Sequence, residues 1–237
     1  KYLKMKKFET KKLFYDTYLY KIQIGTYLAA RFRTALSPNK KLGQVEEVLK
    51  LADCGETVSI FVSSYRKKHL SKYDIKLCRI LYNILMKYDD YIIRCENNLL
   101  SVYTNNCELL DQMIEIDPEL LDTTYIELWK PNLENVDLLL TNKNIILSNN
   151  EIIPFPYKIT FAGKKQTTSH LLNWIKNHKD KVKIGNMLLK ILNSNSTAWI
   201  KGYYIYVTDE KLVLLLQMLI GNNIQRIDKL VSTADNR

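Results

Sequence analysis

Two matching strand segments, each followed by a matching strand-and-helix block, constrain the fold of this chain more than any other feature. The segments "YLYKIQI" (18 to 24) and "FPYKITF" (155 to 161) share a Tyr-Lys-Ile core with the alternation of a half-buried strand. The later blocks, "NLLSVYTNNCELLDQM" (98 to 113) and "GYYIYVTDEKLVLLLQ" (202 to 217), both predict a strand, a polar capping cluster and an amphipathic helix. The pattern indicates an internal duplication.

Each half predicts the order strand, helix, strand, strand, helix, strand. A strand precedes each block ("YIIRC" and "AWI"), and a further strand follows it ("TTYIELW" and "NIQRIDKLV"). This order is that of the split β-α-β, or ferredoxin-like, unit. We therefore predict an α+β protein made of two tandem ferredoxin-like units. The capping cluster at 104–106 aligns with the one at 208–210.

The two halves differ in length because the first carries a basic insertion at about residues 31–74. Residues 131–150 are punctuated by Pro131 and by asparagine pairs, which is typical of a linker, and we expect one short strand within it. The expected domains are therefore 1–130 and 151–237, joined by residues 131–150.

The net charge of +10 is unevenly distributed along the chain. Residues 1–12 hold six lysines, residues 63–76 hold five basic side chains, and residues 164–183 hold six lysines. Residues 107–137 hold nine acids and one lysine. Segregated charge indicates an anionic partner for the basic regions, or a protein contact between acidic and basic faces. A solvated lysine-rich surface is the simplest alternative.

Basic and aromatic residues form the candidate nucleic-acid interface, because lysine and arginine neutralise phosphates while tyrosine rings stack on bases. Single-stranded DNA or RNA is the favoured partner. The alternative for the tyrosines is ordinary packing, with alternate rings filling opposite faces of a sheet. The candidate residues are Arg31, Arg33, Lys40, Lys41, Tyr65, Arg66, Lys67, Lys68, Lys72, Lys164, Lys165, Lys201, Tyr203 and Tyr204.

The segment "KGYYIYV" (201 to 207) begins with a basic residue, a glycine and an aromatic residue. In this it resembles the RNA-contacting strand motif of RNA-recognition-motif domains. Lys201, Gly202 and Tyr203 match that motif, whereas the next three residues depart from it. The resemblance implies aromatic side chains on a central strand that stack on RNA bases.

Catalytic motifs are sparse. Asp89 and Asp90 are adjacent carboxylates of the kind that two-metal nucleotidyl transferases use, but they follow a helix instead of occupying a hairpin turn. His69 could act as a general base, as in the duplicated ferredoxin-like endoribonucleases that process CRISPR transcripts, but the glycine-rich loop of those enzymes is missing. We predict no enzymatic activity and no cofactor or metal. Metal-dependent or histidine-based nuclease chemistry stays open as an alternative.

The four cysteines are scattered, which disfavours a zinc site or a disulfide framework and favours a reducing, cytoplasmic compartment. The longest apolar run is far shorter than the roughly 20 residues of a membrane span. The leading hypothesis is a non-enzymatic nucleic-acid-binding accessory protein, of phage or viral type. The alternative is a structural or assembly protein, such as a virion component, a homo-oligomer or a complex subunit, whose acidic segment docks on a basic face.

Overall fold

The computed structural model describes residues 4–32, 42–63, 66–120, 125–163, 168–194 and 199–234. The chain divides into two compact units, Lys1–Leu140 and Thr141–Arg237, each with its own hydrophobic core. Both units combine a mixed five-stranded sheet with helices, so the α+β class predicted from the sequence is confirmed.

The first unit is built on the sheet that contains the strand "YKIQIG". Its elements up to the unit boundary are β1 (Lys4–Glu9), β2 (Tyr20–Gly25), α1 (Gly43–Asp53), β3 (Ser59–Ser63), β4 (Arg66–His69), α2 (Lys72–Leu85), β5 (Tyr91–Glu96), β6 (Leu99–Thr104), α3 (Cys107–Ile114), β7 (Tyr125–Lys130) and α4 (Val136–Thr141). The strand order of the large sheet is β1-β7-β2-β6-β5. β1 runs parallel to β7, and the other neighbours are antiparallel.

The second unit repeats this arrangement of strands. Its elements are β8 (Ile145–Ser148), β9 (Tyr157–Phe161), α5 (Thr168–Asn177), β10 (Val182–Ile184), α6 (Asn186–Asn193), β11 (Tyr204–Val207), α7 (Glu210–Ile220) and β12 (Ile224–Ser232). The strand order is β10-β11-β9-β12-β8, with β8 parallel to β12 and the other neighbours antiparallel. Strand for strand, the order and directions match those of the first sheet.

Alternation along the central strands decides which side chains enter the core. Ile22 and Ile24 of β2 are fully buried in the core of the first unit, together with residues of α1, α2 and α3. Ile159 and Phe161 of β9 are buried in the same way with residues of α5, α6 and α7. The intervening side chains point to the opposite side of each sheet, which we call the outer face.

The prediction that "AWI" forms the strand before the turn and β11 in the second unit is wrong, and Ala198 lies outside the described residues. β11 pairs with β10, so that Val182 lies opposite Val207, and α6 occupies the chain between these two strands. Trp199 lies outside the strands of the sheet and is exposed. The segment "VKI" of β10 has three residues, which is too few for alternation to mark a strand.

Polar caps start α3 and α7 at equivalent places. The side-chain oxygen of Asn106 accepts hydrogen bonds from the N–H groups of Glu108 (2.8 Å) and Leu109 (3.3 Å). The carboxylate of Asp209 accepts one from the N–H of Leu212 (3.0 Å). Asn106 therefore corresponds to Asp209, and the alignment of 104–106 with 208–210 is wrong by one residue.

The same correction holds within the strands that precede these helices. Tyr103 of β6 pairs with Lys21 of β2, and Tyr206 of β11 pairs with Lys158 of β9. A shift of one residue would exchange the two faces of a strand. With the register of the structure, tyrosine corresponds to tyrosine on the outer face of both sheets.

Part of the predicted insertion of the first unit and both parallel edge strands lie within the described residues. α1 and the β3–β4 hairpin lie between β2 and α2, within the predicted insertion. β8 falls within residues 131–150, and it pairs with β12 as the edge of the second sheet. The basic N-terminal segment forms β1, a strand that the charge pattern did not predict.

The cap of α3 gives a first prediction. Asn106→Ala should lower the free energy of unfolding by about 1 kcal/mol, because two N–H groups at the start of α3 lose their acceptor. Asn106→Ser keeps an acceptor at the cap and should retain most of the stability. Urea denaturation of both variants measures this difference, and an equal loss in the two variants would contradict the role of the cap.

Candidate nucleic-acid interface

The outer face of the first sheet carries an aromatic row across four strands. Phe8 of β1 pairs with Trp129 of β7, Trp129 pairs with Lys21 of β2, and Lys21 pairs with Tyr103 of β6. The rings of Phe8 and Trp129 are stacked, with centroids 4.8 Å apart and an interplanar angle of 18°. The Lys21 ammonium lies 3.9 Å from the centroid of the Trp129 ring and 5.8 Å from that of Tyr103. This cation is therefore held between two aromatic rings.

A polar row runs beside the aromatic one. Gln23 donates a hydrogen bond from Nε2 to Glu127 (3.1 Å), and the Ser101 hydroxyl donates one to Oε1 of the Gln23 side-chain amide (3.1 Å). Lys6 of β1 lies 4.0 Å from the Glu127 carboxylate. These contacts fix the orientation of the Gln23 amide, so the polar row is a rigid border to the rings.

The loop before β2 covers part of this outer face. The rings of Phe14 and Tyr15 pack on Tyr103, with centroid distances of 5.3 and 4.9 Å, and Tyr103 is only 6% exposed. Phe8, by contrast, is 41% exposed. The accessible rings of this outer face therefore lie at the β1 and β7 side of the sheet and on the loop itself, where Tyr15 is 49% exposed.

The covering loop is held in a strained conformation. Tyr15 and Asp16 have φ angles of 52° and 59°, in the left-handed region that residues other than glycine seldom adopt. The Asn105 amide fixes the loop, because it accepts from the Leu19 N–H (2.9 Å) and donates to the Thr17 carbonyl (3.1 Å). Strain of this kind persists only where the surrounding structure enforces it.

The outer face of the second sheet carries a tyrosine and lysine cluster. Tyr204 and Tyr206 of β11 contact each other edge to face, with centroids 5.4 Å apart. The Lys158 ammonium lies 4.0 Å from the centroid of the Tyr204 ring. Lys183 of β10 pairs with Tyr206, and Tyr204 is 43% exposed. This unit therefore also presents an accessible ring beside cations.

A buried ion pair distinguishes the second outer face from the first. Asp228 of β12 pairs with Lys158 in the second sheet, in the same way that Trp129 of β7 pairs with Lys21 in the first. Asp228 is 1% exposed and accepts a hydrogen bond from Nε of Arg226, whose guanidinium also donates to the Lys143 carbonyl (3.0 Å). A buried carboxylate requires such a partner, so this part of the face is a structural element.

Two basic residues of the insertion lie on opposite faces of the β3–β4 hairpin. Alternation along β4 sends Lys67 and Lys68 to opposite faces. The Lys68 ammonium lies 3.6 Å from the centroid of the Tyr27 ring, and Nδ1 of His69 lies 2.7 Å from the Ser59 hydroxyl oxygen. Lys67 is exposed. Lys68 is exposed as well, so the two lysines differ in the ring contact of Lys68 and in the face they occupy. The basic run is thus not a single patch.

The other sequence-predicted residues are dispersed. Arg31 is half-buried at the end of a 3-10 turn, Lys72 is exposed in the first turn of α2, and Lys201 is exposed in the turn before β11. Tyr203 packs against the core of the second unit. For Arg66 only the backbone in β4 is described. The residues that lie outside the described part of the chain are Arg33, Lys40, Lys41, Tyr65, Lys164 and Lys165.

The resemblance to the RNA-recognition motif rested on Tyr203, and this ring is not on the outer face. Tyr204 and Tyr206 hold that face, at positions where the segment departs from the motif. Sequence reasoning missed Phe8, Trp129 and Lys21. Alternation in "KMKKFE" and "YIELWK" signals which side chains share a face, but it does not show which strands are neighbours.

Other candidate chemistry finds little support in the described residues. Asp89 and Asp90 are exposed between α2 and β5. Within the described ranges, no group of three or more histidine, cysteine, aspartate or glutamate residues could hold a metal ion.

Burial raises the pKa of the Cys78 thiol to about 12, so this thiol is protonated near neutral pH. None of the helices described is both long and apolar enough to span a bilayer.

No protein-family model, curated protein or solved structure matches this chain. The function must therefore be argued from the geometry of the two outer faces and from the chemistry of their side chains.

Lys21 gives a prediction about electrostatics. Burial lowers its pKa, and the carboxylates of Glu127 and Glu96 partly oppose this effect. Glu127→Gln should therefore lower the Lys21 pKa further, whereas Glu46→Gln on α1 should leave it unchanged. An NMR titration of the Lys21 side chain measures both. Because the pKa is lower in the folded chain than in the unfolded one, the Lys21 contribution to stability should grow as the pH rises through the folded pKa.

Proposed function

We propose that this chain is a non-enzymatic, single-stranded nucleic-acid-binding protein with two stacking surfaces, one on the outer face of each sheet. The observation that carries the proposal is that accessible aromatic rings lie beside lysines on both faces. Phe8 and Trp129 accompany Lys21 in the first unit, and Tyr204 accompanies Lys158 in the second. Aromatic rings stack on bases of any sequence, and lysines attract the phosphates between them.

The strand order supports the same proposal. If β1 and β8 are set aside, both sheets have antiparallel neighbours in the order of a split β-α-β unit. We propose that both units are ferredoxin-like and arose by duplication, with α1, the β3–β4 hairpin and α6 as additions to the common pattern. In such units the outer face of the central strands can present aromatic rings to unpaired bases.

Single strands fit these faces better than duplexes do. Bases in a duplex are stacked on one another and turn only their edges outward, so a flat aromatic ring has no base plane to contact. Phe8 and Tyr204 present rings on open sheet faces and not on a helix shaped for a groove. The surrounding lysines suit phosphate contact more than base reading, so we expect little sequence preference.

The stacking surfaces predict the effect of removing a ring. Tyr204→Ala and Phe8→Ala should each weaken binding of a labelled single strand by about 1–3 kcal/mol, or roughly 5- to 150-fold. Tyr204→Phe keeps the ring and should bind almost as the natural chain does. Fluorescence anisotropy at about 50 mM salt measures these affinities, with single- and double-stranded DNA and RNA in parallel.

Two results would contradict the proposal in different ways. If no single strand shows salt-sensitive binding, the chain is not a nucleic-acid-binding protein of this kind. If the natural chain binds but Tyr204→Ala and Phe8→Ala bind equally well, the binding surface does not lie on the outer faces.

On the β3–β4 hairpin, we expect Lys67 to contact phosphate and Lys68 to contribute to stability. Lys67→Ala should make the dependence of log K on log salt concentration shallower by about 0.7, the value for one phosphate contact on a single strand. Lys68→Ala should lower the free energy of unfolding by about 0.5–1 kcal/mol, because it removes the cation from the Tyr27 ring. Substituting Arg66, Lys67 and Lys68 together should weaken binding, and an unchanged affinity would remove the hairpin from the interface.

A second candidate function, an assembly protein, rests on α7. Four large apolar side chains on this helix are exposed: Leu214, Leu215, Met218 and Leu219. Exposed apolar patches of this kind often mark protein contacts. The acidic segment expected to dock on a basic face is distributed over several elements, and Asp111 pairs with Lys130 while Glu127 lies on the outer face. Concentration-dependent light scattering without nucleic-acid binding would favour assembly, whereas a strict monomer would disfavour it.

A further inference from the structure

A pocket of about 320 Å³ opens at the β1 edge of the first unit. Its apolar walls are Met5 of β1, Leu128 of β7 and Ile114 of α3. The volume lies at the lower end of the range of small-molecule sites, about 300–1,000 Å³. The pocket therefore has room for a compact ligand.

The register of β1 explains the pocket. Met5 pairs with Ile126 and Lys7 pairs with Leu128, and both partners face the core. Met5 and Lys7 therefore point to the helix side of the sheet. β1 is the outermost strand, next to β7, so the space between this edge and α3 is bounded by strand side chains on one side and by Ile114 on the other.

Charged side chains complete the walls of the pocket. The Lys130 ammonium lies 3.3 Å from the Asp111 carboxylate, and both residues line the opening together with Lys7. Lys7 is exposed and forms no ion pair with a carboxylate among the described residues. The pocket thus offers apolar walls for a flat ring, a free ammonium for an anion, and a carboxylate that can accept from an amino group.

Phe8 connects the pocket to the aromatic row of the outer face. Phe8 is one of the residues that line the pocket, while its ring points to the outer face and is stacked on Trp129 at 4.8 Å. A strand that stacks on these two rings would therefore reach the pocket by passing around the β1 edge. Phe8 is the residue at which the outer face and the pocket meet.

We propose that this pocket binds one nucleotide of the strand that lies on the outer face of the first sheet. The base packs against Met5, Ile114 and Leu128, its phosphate contacts Lys7, and a base amino group donates a hydrogen bond to Asp111. The inference rests on the proposed function, and it adds a site that holds a single nucleotide at the β1 edge.

Binding of adenosine 5′-monophosphate to the full chain tests the pocket separately from the outer faces. Methyl NMR of Met5, Ile114 and Leu128 should show saturable shifts. Lys7→Ala should weaken this binding about tenfold or more, because the phosphate loses a charge-assisted contact. Lys76 is an exposed residue of α2. Lys76→Ala is the matched control and should bind the mononucleotide as the natural chain does.

A second variant fills the pocket. Ile114→Trp should abolish the Met5 methyl shifts on addition of the mononucleotide and weaken single-strand binding about tenfold, while Tyr204 is still able to stack. If Ile114→Trp does not fold, Lys7→Glu reverses the charge of an exposed residue and should give the same loss of mononucleotide binding.

The outcomes separate the two proposals. If single strands bind but the mononucleotide leaves the three methyl groups unshifted, or if Lys7→Ala binds it normally, the pocket inference is wrong and the proposed function stands. If no single strand binds, the proposed function fails and the role of the pocket within it fails as well. Shifts confined to these methyl groups, lost in Lys7→Ala and kept in Lys76→Ala, support the inference.

Discussion

The register of the central strand in each sheet is the constraint on which the rest of this molecule depends. Lys21 of β2 precedes the buried Ile22, and Lys158 of β9 precedes the buried Ile159, so each lysine is forced to the outer face while the isoleucine beside it enters the core. A slip of one residue would bury the lysine and expose the isoleucines. The hydrophobic core and the aromatic outer face are therefore two results of a single choice of register, and neither can change alone.

The two outer faces share this register but differ in what surrounds the lysine. Lys21 lies between the rings of Trp129 and Tyr103, and this partial burial is the main cause of its lowered pKa. Lys158 has Asp228 in place of the tryptophan, and that carboxylate is buried with Arg226. The exposed aromatic surface of the first outer face consequently extends toward its parallel edge strand, while that of the second lies on the side of β11. On the proposed function, the two units would engage a strand differently.

Local sequence patterns predicted much of this fold, but they did not show which strands pair when the partners lie far apart in the sequence. The alternation in β2, β6 and β9 and the polar starts of α3 and α7 are visible in the sequence because they depend on neighbouring residues. β10 was missed because it is short, and β1 because its partner β7 lies far along the chain. The same limit applies to the site. Tyr204 could be predicted from its own strand, but the stack of Phe8 on Trp129 depends on the pairing of two distant strands.

The loop over Tyr103 shows how local strain can define the extent of a surface. Two consecutive residues other than glycine, Tyr15 and Asp16, adopt left-handed φ angles, at a cost of about 1–3 kcal/mol each. The Asn105 hydrogen bonds and the ring contacts with Tyr103 offset part of this cost. The effect is to cover the β6 side of the outer face and to leave Phe8 accessible. If a strand binds this face, Phe8 at the β1 edge and Tyr15 on the loop are the exposed rings that it can reach.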